Sequence, residues 1–185
     1  MGLSVPGFRM VVLDEQGNEV GPGESGQLAV DITVSPLYHF QGYWQQDSRD
    51  RYHGHYYLTG DRVTVGADGN FIFMGRDDDI ILYAGYRIGP FEVESALLEH
   101  PAVAESAVVG KPDAEHGEIV KAFVVLRSTY TPSPELAGEL QQLVRQRVSA
   151  HAYPREVQFI NTLPKTPSGK IQRFVLRQQA AIPNQ

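Results

Sequence analysis

At Asp77-Asp78-Asp79 the sequence changes rhythm. Before this run, short β-branched and aromatic stretches alternate with glycine-containing turns; after it, apolar strands alternate with stretches whose apolar residues recur every three to four positions. One kind of secondary structure cannot satisfy both periods, because side chains switch faces at every residue of a strand but share a helix face every three or four. The chain is therefore expected to be α+β in two parts. A small all-β part spans residues 1–77, and a mixed part with a small sheet and about three helices spans residues 78–185. The plain alternative for the aspartate run is a solvated turn.

Local signals fill in this outline. In "FRMVVLDEQGNEV" a β-branched run stops at Asp14 to Asn18, and in "VTVGADGNFIFMG" Asp68-Gly69-Asn70 predicts a hairpin turn. The tract "SPLYHFQGYWQQDSRDRYHGHYY" has no period and is expected to be loop with short strands. In "GPFEVESALLEHP" Pro90 suits a first helical position, Glu92 and Glu94 suit the positive helix end, and Pro101 stops the helix. "VAESAVVG" and "EIVKAFVVL" predict strands around a Pro112-Asp113 turn. Ser133 is a candidate N-cap for a helix whose stripe is Leu136, Leu140, Leu143, Val144 and Val148. "EVQFI" predicts a strand, "NTLPKTPSGK" an exposed loop and "RFVLRQQAA" a terminal helix.

Charge and composition exclude several functions. Among 185 residues the formal net charge is -6, which argues against a nucleic-acid surface built on phosphate neutralisation. No run approaches the roughly 18 apolar residues of a membrane span, and Met1 is followed by Gly-Leu-Ser-Val-Pro rather than by a basic and then an apolar segment, so a soluble cytoplasmic protein is expected. With no cysteine there is neither a disulfide nor a thiolate nucleophile. His53 and His55 lie two apart without an evident partner, so no metal site is expected. Ser25 lacks the flanking glycine of a nucleophile elbow, and Ser168 has no placed base.

A Gly-Lys pair in "LPKTPSGKIQR" suggests phosphate, but the P-loop pattern fails: Pro164 takes the place of its first glycine and Ile171 that of its hydroxyl residue. What remains are separated polar signatures: "YLTGD" with Asp61, "GRDDDI" with Arg76 and Asp78, "YAGYRIGPFEVE" with Gly85 and Arg87, and "PKTPSGK" with Lys170. Singly, each admits a structural explanation as a turn residue, a local ion pair or an exposed lysine.

Together and in this order they resemble the C-terminal portion of the AMP-forming acyl-CoA synthetases of the adenylate-forming superfamily. The likeness runs from "VPGFRMVVLDEQGNEVGPGESGQLAV" to "LPKTPSGKIQRFVLR", and the tract from Met74 to Asp113 is most similar to acetyl, medium-chain and aromatic acid ligases. The resemblance implies that a carboxylic acid attacks ATP to give acyl-AMP and that CoA then displaces AMP. It implies that Asp61 accepts from the ribose hydroxyls, that Arg76 stands beside the nucleotide, and that Lys170 is the catalytic lysine bridging carboxylate and α-phosphate. It further implies a hinge at Asp78, with Gly85 lining the pantetheine path and Arg87 near the CoA phosphates after rotation. Residues 1–77 would be the last subdomain of the large AMP-binding domain and 78–185 the mobile C-terminal domain.

Two positions depart from the pattern: Ala152 stands where a lysine is common, and Leu82 where many relatives carry one. The phosphate loop, adenine motif, acyl pocket and most Mg²⁺ contacts of the family precede the first residue here. The chain alone is therefore expected to be inactive and to work with an N-terminal domain in cis. The competing expectations are a stand-alone CoA-, nucleotide- or protein-binding module and an adenylation domain serving a carrier protein.

Overall fold

Apolar runs in the first part end where a carboxylate can turn the backbone. A computed structural model of the chain describes residues 1–45 and 47–181. Strand β1 (Met10–Leu13) stops at Asp14, whose Oδ1 accepts from the backbone N–H groups of Gln16 at 2.9 Å and Asn18 at 2.8 Å. Such local bonding is what makes aspartate a turn former. Strands β2 (Ser25–Asp31), β3 (Tyr52–His53), β4 (Tyr56–Val65) and β5 (Phe71–Arg76) complete an antiparallel sheet. β2 pairs with β1 and β4, while β3 and β5 share the other edge of β4. The β4–β5 connection is the expected hairpin: Gly66 N–H donates to Asn70 O at 2.8 Å, and Gly69 takes φ +78°. Alternation sorts Val12, Leu28, Val63 and Val65 into one buried cluster and Val11, Leu13 and Ala29 into another. The aperiodic tract is held by aromatic contacts, with the rings of Tyr38, Phe40 and Tyr52 around Tyr57 at 5.0–5.5 Å between centroids.

The second part builds a sheet from β6 (Ile81–Tyr83), β7 (Tyr86–Ile88), β8 (Val103–Asp113), β9 (Gly117–Leu126) and β10 (Glu156–Phe159). Helices α1 (Pro90–Leu98), α2 (Pro134–Arg147) and α3 (Arg173–Ala181) pack on it. β9 is central, with β8 along one edge and β10 and β6 along the other. Strand alternation divides its residues between two cores. Val103, Val108, Val120, Ala122 and Val124 pack with Val93 and Leu97 of α1 and Leu140 and Val144 of α2. Ala107, Val109 and Phe123 pack with Leu163 and with Leu176 and Ala180 of α3. The three helices and the mixed sheet give the expected α+β class.

Ser133 caps α2 by accepting from Leu136 N–H at 3.2 Å, and Pro134 takes the first turn, where its missing N–H costs nothing. Ser133→Ala should lower stability by about 1 kcal/mol in urea unfolding, and an effect near zero would show that α2 is held by its buried stripe alone.

The turn expected at Pro112-Asp113 lies elsewhere. β8 runs through Pro112, paired with Glu118, and the chain reverses at residues 114–116. Proline is tolerated because β8 is an edge strand. The reversal is fixed by Asp113, whose Oδ1 accepts from Glu115 N–H at 3.1 Å, from His116 N–H at 2.9 Å and contacts the His116 ring nitrogen Nδ1 at 2.8 Å. These bonds, the imidazole's foremost, hold the Asp113 carboxyl below its usual 3.8. A depressed carboxylate contributes stability above its unfolded pKa and loses it as pH falls. Asp113→Asn should therefore flatten the fall in Tm between about pH 5 and about pH 3, and an unchanged slope would remove Asp113 from the acid transition.

Packing divides the chain into two compact units, Met1–Asp78 and Asp79–Gln185. No helix among the described residues is long and apolar enough to cross a membrane.

Candidate functional site

The three consecutive aspartates have three different environments. Asp77 is pinned in the first unit, accepting from Gln27 Nε2 at 2.5 Å and Arg62 Nη1 at 3.1 Å. Asp79 is pinned in the second, its side chain 11% exposed and facing Arg173 and Arg177 of α3. Asp78 between them is 70% exposed and lies only 3.6 Å from Arg76 Nε. The solvated-turn alternative therefore describes Asp78 alone.

Next to this run, β4 and β5 place Asp61 opposite Arg76 in register. Arg76 Nη1 donates to Asp61 Oδ1 at 3.1 Å and to Thr59 O at 3.3 Å. Gly60 takes φ +79°, and a Cβ there would come within 2.7 Å of Arg76 Nη2. Glycine thus lets the guanidinium lie against the strand. Asp61 keeps its second oxygen, Oδ2, without a protein donor among the described residues. A concavity of about 430 Å³ opens beside this pair, lined in part by Tyr43, Asp47, Arg51, Arg76 and Asp78. Tyr43 and Arg51 come from the aperiodic tract, where no sequence signal singled them out; Arg51 Cζ lies 5.7 Å from the Tyr43 ring centroid. Among the described residues no group of three or more His, Asp or Glu side chains could hold a metal ion.

The lysine loop is an ordered turn. Lys165 bridges Ile171, Thr166 N–H donates to Lys170 O at 2.8 Å, and Gly169 N–H donates to Thr166 O at 2.9 Å with Gly169 at φ +84°. Lys170 N–H is held by Thr166 Oγ1 at 3.1 Å. The loop is mostly exposed as expected, except at its root, where Leu163 is buried against Phe123 and Leu176. Lys111 and Lys121 both pair with Glu156, and Lys165 pairs with Glu105. Lys170 alone of the four lysines has no anionic partner among the described residues. A rigid turn thus presents one uncompensated cation to solvent.

Residues 92–170 match the AMP-binding enzyme C-terminal domain. The chain is 46% identical over 184 residues to the mitochondrial acyl-coenzyme A synthetase ACSM3 of Rattus norvegicus, covering 97% of this chain and 32% of that protein. It is 44% identical over 180 residues to the acetyl-coenzyme A synthetase of Bacillus subtilis, covering 96% and 31%. The crystal structure of an acyl-CoA synthetase from Brucella canis matches with 57% identity and a TM-score of 0.56, over 97% of this chain and 33% of that one. The chain belongs to the adenylate-forming acyl-CoA ligase family. It spans about a third of the length of the curated relatives it matches.

The other two candidate residues sit on the β6–β7 hairpin. Ala84 at φ +47° and Gly85 at φ +86° are its central residues, the geometry of a two-residue turn with positive φ at both positions. A Cβ built on Gly85 meets nothing within 4 Å, so the backbone angle, rather than crowding within the chain, is what favours glycine here. Arg87 is exposed on β7, opposite Leu82, which is 49% exposed. Ala152 is 3% exposed in the core with Leu140 and Val144, so this departure from the family pattern is a packing residue. Gly85, Arg87 and Lys170 belong to the second unit; Asp61, Arg76 and Asp78 form one edge of the first.

Sequence reasoning missed the ion pair between Glu94 and Arg173, read at first only as helix-end chemistry. Glu94 is 7% exposed. Burial pushes its carboxyl up, against the opposing pull of Arg173 and the N–H of Val108. Nothing in its local spacing marks a partner 79 positions away.

Proposed function

We propose that the chain is the C-terminal part of an ATP-dependent ligase that activates a carboxylic acid as acyl-AMP and transfers the acyl group to CoA. The observation that carries this reading is Lys170, alone of the four lysines without an anionic partner among the described residues, on an ordered turn in an otherwise acidic chain. Bringing a carboxylate onto the α-phosphate concentrates negative charge, and a cation fixed beforehand offsets it without reorganising water. In the same reading Asp61 offers Oδ2, which has no protein donor among the described residues, to the ribose hydroxyls, while Arg76, held through Nη1 by Asp61 and Thr59 and with Nε beside Asp78, keeps Nη2 for the nucleotide. Asp78 is the hinge, an exposed residue between two anchored neighbours, so it can change φ/ψ without breaking either anchor. Rotation would bring Gly85 and Arg87 to the CoA. The phosphate loop, acid pocket and Mg²⁺ contacts would be supplied in cis by residues outside these 185.

The test is ATP–pyrophosphate exchange, with a panel of acetic, medium-chain and aromatic acids, by the longer protein that carries this segment. Exchange stimulated by at least one acid is expected. No exchange and no acyl-adenylate with any of them would sink the reading.

A further inference from the structure

Arg173 stands three residues beyond Lys170, at the first position of α3, and its guanidinium is committed on two sides. Nη2 donates to both carboxylate oxygens of Glu94 on α1, at 2.8 and 2.7 Å, and Nη1 lies 3.7 Å from Asp79 Oδ2. One helical turn further on, Arg177 donates to the same Asp79 carboxylate at 2.5 Å. Glu94 also accepts Val108 N–H of β8 at 2.8 Å. Two carboxylates, with side chains 9% and 11% exposed, and two guanidiniums thus form an electrically balanced cluster. It joins α1, β8 and α3 to the residue that follows Asp78.

Stability alone does not account for such a cluster. Replacing buried ion pairs with apolar side chains of similar volume is often neutral or stabilising, and α3 already buries Leu176 and Ala180 completely. What the ions add is geometry. The planar fork of an arginine fixes both distance and orientation against a carboxylate, which the point charge of a lysine does not.

We propose that Arg173, with Glu94 and Arg177, is a positioning residue that latches the start of α3 to Asp79. A backbone change at Asp78 then carries the Lys170 loop as part of one rigid body and sets the orientation in which its ammonium arrives. Only Ile171 and Gln172 separate Lys170 from the latch, and Gln172 N–H is itself tied to Pro164 O at 2.9 Å, so slack at Arg173 passes directly into the turn.

Hydrogen exchange on the 185-residue chain tests the latch without reference to activity. In Arg173→Lys, amides of residues 165–171 should exchange about tenfold faster, while those of β8 and β9 stay within about twofold of the unsubstituted chain. Glu94→Gln, which keeps the side-chain shape, should give the same pattern and serves if the first variant fails to fold. Unchanged exchange in the loop, or equal acceleration in loop and sheet, would overturn the proposal. A second arm rests on the function proposed above. In the longer protein, Arg173→Lys should lower kcat for adenylate formation about tenfold or more, with the KM for ATP within about twofold. A raised KM at unchanged kcat would overturn the positioning role. Failure of the unsubstituted protein to form adenylate would count against the functional reading alone, leaving the exchange pattern to decide the latch.

Discussion

On the proposed function, Lys170→Ala in a protein that joins this segment to an AMP-binding N-terminal domain is expected to lower acyl-adenylate formation by about 10²- to 10³-fold, the range found when one preorganised electrostatic group is removed from a transition state. The magnitude agrees with Coulomb's law: at an effective dielectric constant of about 20, unit charges about 4 Å apart interact by about 4 kcal/mol. Transfer of the acyl group from preformed acyl-AMP to CoA should be much less affected, because that step no longer brings two anions together. The substitution should also leave stability within about 0.5 kcal/mol, since the ammonium is exposed and pairs with nothing among the described residues. Pyrophosphate exchange, single-turnover thioester formation and thermal unfolding separate these effects. Adenylation at the unsubstituted rate would remove Lys170 from the chemistry.

Phe123→Ala is expected to destabilise the second unit by about 3–5 kcal/mol. Phe123 is fully buried on the central strand, paired with Ala107 on one side and Gln158 on the other, and its ring fills the core under α3. Lys121 Nζ lies 5.2 Å from the ring centroid, so a cation–π contact is lost with it. The cavity would open beside Leu163 and Leu176, which anchor the two ends of the lysine loop. Urea unfolding followed by far-UV circular dichroism should show the loss, with amides of β9 losing protection. A change below about 1 kcal/mol would mean that the site collapses and that α3 is held mainly by its ion pairs.

The proposed latch and the proposed hinge are two aspects of one arrangement. Asp77 is bound to β2 and β4 and Asp79 to α3, whereas Asp78, 70% exposed, meets only Arg76 Nε at 3.6 Å. Under the proposed function, attachments on both sides of Asp78 would confine a backbone change to that residue.

Much of the fold was legible in the sequence because its signals act over a few residues. Asp14 bonds to Gln16 and Asn18, Ser133 to Leu136, and Gly69 supplies the left-handed residue of the β4–β5 turn. Val93 and Leu97 share a helix face, as their spacing requires. The Pro112 turn was misplaced because a proline reads as a breaker unless the strand is known to lie at an edge, and edge position follows from sheet order.

By itself the sequence determined the α+β class, the three helices, most of the strands, the Ser133 cap, the turns at Asp14 and Gly69, and the motifs that resemble acyl-CoA synthetases, since each depends on neighbouring residues or on the order of short segments. Only the tertiary structure decided that, among the described residues, Lys170 has no anionic partner while Lys111 and Lys121 share Glu156 and Lys165 meets Glu105, that Asp78 is exposed beside Arg76 while Asp77 and Asp79 are anchored, and that Glu94 meets Arg173. The physical reason is range. Those pairings join residues 45 to 98 positions apart for Lys111–Glu156, Gln27–Asp77, Glu94–Arg173 and Arg177–Asp79, and charge carries no local mark of the partner that folding will bring to it.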